Sequence, residues 1–114
     1  MSDAIVIGAR CSGAATAMLL PRVWCDLSEG IPFAGNAAWD ILRGVLAMAP
    51  LTKICYGSDG FKVPEIMYTS AKLGKQAVAS VLAELVSDGM LTQCDAEAAA
   101  GLILAGNARE LYRI

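Results

Sequence analysis

Val23-Trp24-Cys25-Asp26-Leu27, followed by Ser28-Glu29-Gly30-Ile31-Pro32, is the stretch on which the fold turns. The first five residues suit a half-covered strand and the next five suit a turn, so the pattern predicts a strand over 23–27 that breaks into a loop. Upstream, Ala4-Ile5-Val6-Ile7 is a continuously apolar run ending at Gly8, as in a strand covered on both faces. Between these strands, Cys11 to Leu20 holds Ala14, Ala15, Ala17, Met18 and Leu19, all good helix formers, until Pro21 drives Leu20 out of helical geometry. Downstream, Ile41, Leu42, Val45, Leu46 and Met48 recur at helical spacing, which predicts a helix over 37–49 stopped by Pro50. Lys53 to Tyr56 is a third short strand ended by Gly57-Ser58-Asp59-Gly60. The order strand, helix, strand, helix, strand implies an α/β fold with a small three-stranded parallel sheet, flanking helices and right-handed crossovers.

The remainder reads as helix. Pro64 suits the first turn of a long helix running to about Ser87, with Ile66, Ala77, Val81 and Leu85 on one stripe and Gly89 as a left-handed cap. Thr92 followed by Asp95 has the spacing of a capping box that opens a helix over 93–104, and Asn107 suits the cap of a last turn ending at Leu111 and Tyr112.

The sequence of 114 residues and 11.9 kDa fits one structural domain and is too short for a closed eight-stranded α/β barrel, which typically takes ~250 residues. Apolar residues reach 56%, yet no uninterrupted run approaches the ~18 residues that would cross a bilayer, so no membrane partner is expected. Met1-Ser2-Asp3 is acidic and lacks the basic start of a secretory signal, which points to the cytoplasm. The net charge of −2 comes without a basic cluster, and this argues against nucleic acid as a partner. Cys11, Cys25, Cys55 and Cys94 form no C-x-x-C pair, so neither a zinc knuckle nor a redox dithiol is signalled, and buried reduced thiols are expected.

Two constellations carry chemistry. In Asp3-Ala4-Ile5-Val6-Ile7-Gly8-Ala9-Arg10-Cys11-Ser12-Gly13, Gly8 would permit a tight turn after the strand and Gly13 a close helix-to-sheet approach, with the helix start facing a pyrophosphate. Residues 1–22 resemble the FAD-binding strand-turn-helix unit of flavin-dependent monooxygenases and geranylgeranyl reductases. The resemblance implies FAD contacts at Gly8, Arg10 and Gly13. Arg10 stands in place of the middle glycine, and Asp26, 13 residues beyond Gly13, falls nearer than a ribose-binding acid usually does. A strand-turn-helix that merely packs is the simpler reading.

The second constellation is a set of separated motifs. These are Asp26-Leu27-Ser28-Glu29-Gly30-Ile31-Pro32-Phe33, Tyr56-Gly57-Ser58-Asp59-Gly60, Ala71-Lys72-Leu73-Gly74 and Gly106-Asn107-Ala108-Arg109-Glu110-Leu111-Tyr112. Through them, residues 23–114 resemble the last two βα units and terminal helices of metal-dependent amidohydrolases with a TIM-like barrel. The resemblance implies hydrolysis of C–N bonds, or a related decarboxylation, at a divalent metal such as zinc. It assigns to Asp59 the carboxylate that binds the metal and takes a proton from the attacking water. Such an ion needs several imidazoles beside the carboxylate, whereas the sequence contains no histidine, and Asn36 occupies a position at which the resemblance allows one. Glu29 and Glu65 would add only weak oxygen donors. A loop acid that accepts backbone N–H bonds is the simpler reading of Asp59.

Lys72 and Lys75 read as a solvated helix face, Trp24 and Trp39 as packing residues, and Cys11 as a helix-start thiol without a base beside it. Three functions follow as expectations: an amidohydrolase-like piece inactive by itself, a nucleotide-binding module, and an assembly subunit that completes a partner's barrel. A small sheet with two uncovered edges further predicts self-association into a homo-oligomer or pairing with a complementary barrel subunit.

Overall fold

The computed structural model describes residues 4–7, 11–28 and 30–114, with side chains from Ala14 onward within those ranges. The chain is mixed α/β and mostly helical. Strands β1 (Ala4–Ile7) and β2 (Val23–Asp26) pair in parallel, with Ala4 opposite Val23 and Ile7 opposite Asp26. A two-residue strand, β3 (Ile54–Cys55), extends this pairing on the other side of β2, also in parallel, giving the order β1-β2-β3. Helix α1 (Cys11–Leu19) connects β1 to β2 and stops one residue before the Leu20-Pro21 junction, as the proline requires.

β3 is shorter than the expected 53–56 because both flanks find other partners. On its amino side Leu51–Lys53 forms a 3-10 turn in which the Lys53 N–H donates to the Pro50 carbonyl at 2.9 Å. The Lys53 ammonium reaches back to the carbonyls of Ala17 and Leu20 at 2.9 and 2.6 Å, closing the end of α1 where orphan carbonyls and the helix dipole attract a cation. On its carboxyl side the Tyr56 N–H donates to the Ile103 carbonyl at 3.1 Å instead of continuing a ladder.

The segment after β2, expected to be loop, contains a one-turn helix α2 (Gly30–Phe33) opened by the Ile31 N–H donating to the Leu27 carbonyl at 3.1 Å. Pro32 is tolerated there because first-turn N–H groups have no helical acceptor in any case. A 3-10 turn at Gly35–Ala37, entered through Gly35 at φ +54°, leads into α3 (Ala38–Met48), and Ala49 turns extended ahead of Pro50.

Helix α4 (Pro64–Ser87) is 24 residues long with proline in its first turn. Its buried face is Ser70, Gly74, Ala77, Val78, Val81 and Leu82, and Ile66 and Leu85 of the expected stripe lie only partly covered at its edge. Gly89 at φ +75° ends it: the Gly89 N–H donates to Val86 and the Met90 N–H to Leu85. Thr92 caps α5 (Gln93–Gly101), accepting from the Asp95 N–H at 3.1 Å, and its hydroxyl donates to the Asp95 carboxylate at 2.7 Å.

Asn107 does not start a separate turn. A π-helical segment, Leu102–Gly106, joins α5 directly to α6 (Asn107–Tyr112), and the junction residues keep right-handed helical dihedrals. The wider π turn lets the Ile103 carbonyl face β3. Arg113 at φ +56° provides the left-handed end of α6. The core holds Cys25, Leu27, Ile31, Leu42, Val45, Ile54, Val78, Val81 and Ile103, so residues of β2, β3, α2, α3, α4 and the π segment share one buried cluster.

The expectation of two uncovered sheet edges is corrected on the β3 side. There the Ile103 carbonyl takes the Tyr56 N–H, and the side-chain amide of Asn107 donates to the carbonyls of Leu51 and Ile54 at 2.7 and 2.8 Å. A helix covers that edge, one of the standard ways to block further strand pairing.

Candidate functional site

The carboxyl ends of β2 and β3 bring Asp26, Ser28 and the Tyr56–Gly60 loop together. Asp26, the last residue of β2, uses one carboxylate oxygen to accept both the Ser28 N–H at 2.8 Å and the Ser28 hydroxyl, a short-range turn that folds the chain out of the strand. Gly57 abuts this turn: a Cβ on it would lie 2.7 Å from the Ser28 hydroxyl oxygen, so the two loops touch through a residue without a side chain. Leu27 ties them again, its N–H donating to the Cys55 carbonyl at 2.9 Å.

Tyr56 anchors the second loop to α4. Its hydroxyl donates to the Ser70 carbonyl at 2.5 Å, and its ring lies so close to Gly74 that a Cβ there would be 2.2 Å from the ring carbon bearing the hydroxyl. Burial raises the Tyr56 pKa above its ordinary value. The small residue in Ala71-Lys72-Leu73-Gly74 thus serves Tyr56 in Tyr56-Gly57-Ser58-Asp59-Gly60, two motifs separate in sequence but in contact here.

Asp59 lies in this loop with φ +50°, and its side chain is exposed. Its carbonyl accepts the Phe61 N–H at 3.2 Å, and the adjacent Ser58 hydroxyl accepts the Gly60 N–H at 3.3 Å. Glu65 in the first turn of α4 and Asn36 in the 3-10 turn are exposed. Glu29, Gly8 and Arg10 lie outside the described residues, while Gly13 lies within α1. Among the described residues no group of three or more His, Cys, Asp or Glu side chains is arranged to hold a metal ion. Asp59 alone does not make a donor set for zinc, which requires about four ligands fixed around one point.

Cys25 and Cys55 are buried free thiols, each pushed up to about 11, first by burial and then by the Asp26 carboxylate, with Cys55 adding to the effect on Cys25. They stay protonated at neutral pH, in a form that neither attacks nor ligates. Cys94 departs from the expectation of burial and is exposed, because it sits on the solvent side at the start of α5. Lys72 and Lys75 are exposed on α4, and Trp24 and Trp39 are half-buried. Trp24 borders a polar cavity of about 490 Å³ together with Lys53, Asn107, Glu110 and Arg113. The polar groups of Lys53 and Asn107 there are already committed to backbone carbonyls.

The sequence reading missed a second polar feature. Arg43 on α3 donates from Nε and Nη2 to both carboxylate oxygens of Glu84 on α4, at 2.8 Å each, and from Nη1 to Asp40 at 2.7 Å. The pairing raises the Arg43 pKa and lowers that of Glu84 through these charge-assisted hydrogen bonds. Only the Arg43–Asp40 spacing could be read along one helix.

The chain is similar to protein fluG of Emericella nidulans, with 31% identity over 99 residues that make up 86% of this chain and 11% of that protein. The chain therefore spans about a tenth of the length of the curated relative it matches. No family model and no solved structure matches the chain.

Proposed function

We propose that this chain is an amidohydrolase-like piece, equivalent to the last two βα units and terminal helices of a metal-dependent barrel, and that it does not catalyse hydrolysis by itself. The observation that carries the reading is convergence: all four motifs behind the resemblance meet around β3. Leu27 bonds to Cys55, Gly57 abuts Ser28, Tyr56 packs on Gly74, and Asn107 bonds to Ile54. Motifs that lie far apart in sequence yet fasten one strand are what a shared fold would retain. The similarity to a protein about eight times as long further supports a segment that works within a larger unit.

The donor set supports inactivity of the segment by itself. Asp59 follows the carboxyl end of a parallel strand, the side on which α/β folds gather their chemistry. One exposed carboxylate, in a sequence without histidine, holds a divalent ion weakly and leaves it hydrated. Histidines from other strands would have to complete the centre, and in this reading the barrel-completing partner is their source.

The test is a zinc-supplemented assay of the purified chain against a panel of amides and carboxylic acids, with metal content measured in parallel. The expected result is no turnover above buffer and no stoichiometric zinc. Turnover abolished by Asp59→Asn, or tightly retained zinc, would overturn the reading.

A further inference from the structure

A cleft of about 380 Å³ opens between α3 and the carboxyl end of α4, floored by Leu46, Val81, Leu85 and Leu91 and rimmed by Arg43, Glu84 and Asp88. Its size falls within the range of roughly 300–1,000 Å³ in which small-molecule sites are found, and such sites combine an apolar floor with a few polar groups, as here.

The rim decides the charge of the occupant. The Arg43 guanidinium is held by both oxygens of Glu84 and by Asp40, so an incoming anion would have to break the clamp to reach it. A cation can pair with Asp88 without breaking that clamp, because Arg43 is bound by Glu84 and Asp40 and not by Asp88. The cleft is lined by one positive side chain, Arg43, and two negative ones, Glu84 and Asp88. Asp88 lies four residues beyond Glu84, one turn further along the same side of the helix, where like charges repel. It is also the residue that closes the carboxyl end of α4, where the helix dipole favours a positive charge.

We propose that this cleft binds a primary alkylammonium ion, with the alkyl chain against Leu46, Leu85 and Leu91 and the ammonium at Asp88 beside Glu84. The inference is independent of the hydrolase reading, because the cleft shares no residue with the loops at the ends of β2 and β3.

Calorimetric titration of the full chain with hexylammonium chloride, sodium hexanoate and 1-hexanol at one ionic strength tests it. Hexylammonium is expected to saturate and hexanoate to bind at least about ten-fold more weakly, since it gains nothing from the acidic rim and must displace Glu84 from Arg43. Asp88→Asn, an exposed helix-end change whose folding circular dichroism can verify, is expected to weaken hexylammonium about five-fold and leave hexanol unchanged. Three results would overturn the proposal: saturation by none of the probes, hexanoate binding as tightly as hexylammonium, or indifference to Asp88→Asn. A dimer seen in sedimentation and abolished by Leu91→Lys would place a second copy in the cleft and also overturn it.

Discussion

Asn107 and Arg43 each bridge parts of the chain that are far apart in sequence, but Asn107 does so inside the protein and Arg43 in contact with water. Asn107 is 2% exposed and uses its amide to bind two carbonyls that no other strand satisfies. Arg43 makes more hydrogen bonds, to charged partners and with good bidentate geometry, yet its side chain is 43% exposed and that of Glu84 is 46% exposed. In the core, removing a partner strands polar groups away from water; at the surface, water replaces what is lost. The number and charge of the bonds favour Arg43, whereas the surroundings favour Asn107, and stability is expected to follow the surroundings.

The largest effect is therefore expected at Asn107. Asn107→Leu keeps the branching of the side chain while leaving the Leu51 and Ile54 carbonyls unpaired, and should cost about 3 kcal/mol in chemical denaturation. Loss of these two bonds also loosens the helix that covers the outer edge of β3, so the variant should self-associate at concentrations where the parent does not, as measured by sedimentation. Retention of parent stability would mean that the buried edge tolerates open carbonyls, and the contrast with Arg43 would collapse.

Gly74 comes next and shows packing rather than polarity at the same strand. A glycine in mid-helix ordinarily costs about 1 kcal/mol relative to alanine, so Gly74→Ala would stabilise an isolated helix. Here the new methyl meets the Tyr56 ring well inside contact distance, and a net loss of about 2 kcal/mol is expected. Combining it with Tyr56→Ala should recover part of that loss, because the two sites are coupled. Additive losses would show that the close approach of ring and helix is not what keeps residue 74 small.

Much of this arrangement was legible in the sequence where one residue's chemistry decides one backbone event. Pro21 ends α1, Pro64 starts α4, Gly89 closes it and Thr92 caps α5, each by a local rule that needs no partner. The position of Asp59 in the loop after β3 was legible for the same reason. What escaped the reading depends on partners that sequence spacing does not reveal. β3 shrinks to Ile54–Cys55 because Lys53 and Tyr56 are drawn to α1 and to the π segment. Asn107 has the composition of a cap and becomes a buried fastener only because β3 arrives beside it. Arg43 and Glu84 stand 41 positions apart, so no helical periodicity connects them.

The thiols extend the contrast between inside and outside to reactivity. In a Cys11→Ser background at pH 8, a disulfide exchange reagent is expected to modify Cys94 at once and to reach Cys25 and Cys55 only as the protein unfolds. The two buried thiols also set an alkaline limit. Their folded values, about 11, lie above the ordinary 9.0, so the unfolded chain loses these protons first as pH rises. Stability should be unaffected by them below about pH 9 and should fall between about pH 9 and 11. Replacing both with alanine or serine should flatten that decline, and an unchanged alkaline slope would assign it to other groups.

The smallest effect is expected at the Arg43–Glu84 clamp, and its sign and conditions identify it. Glu84 has a lowered pKa because Arg43 hydrogen-bonds its ionised form, so the pair contributes fully above the ordinary glutamate value of 4.5 and loses its contribution as pH falls through the lowered folded value. The Arg43 pKa is raised by the same pairing, so the guanidinium stays charged and adds nothing within the usable range. Arg43→Ala and Glu84→Gln should each lower the melting temperature slightly at pH 7 and low ionic strength, much less than Asn107→Leu does. The double variant should lose little more than either single one. Added salt or acid should shrink the difference from the parent, because exposed charges are screened and protonated Glu84 no longer attracts the guanidinium. If the loss instead persisted undiminished in high salt, Arg43 would be acting through its aliphatic stem packed between α3 and α4, and the surface bridge would resemble the buried one more than its exposure suggests.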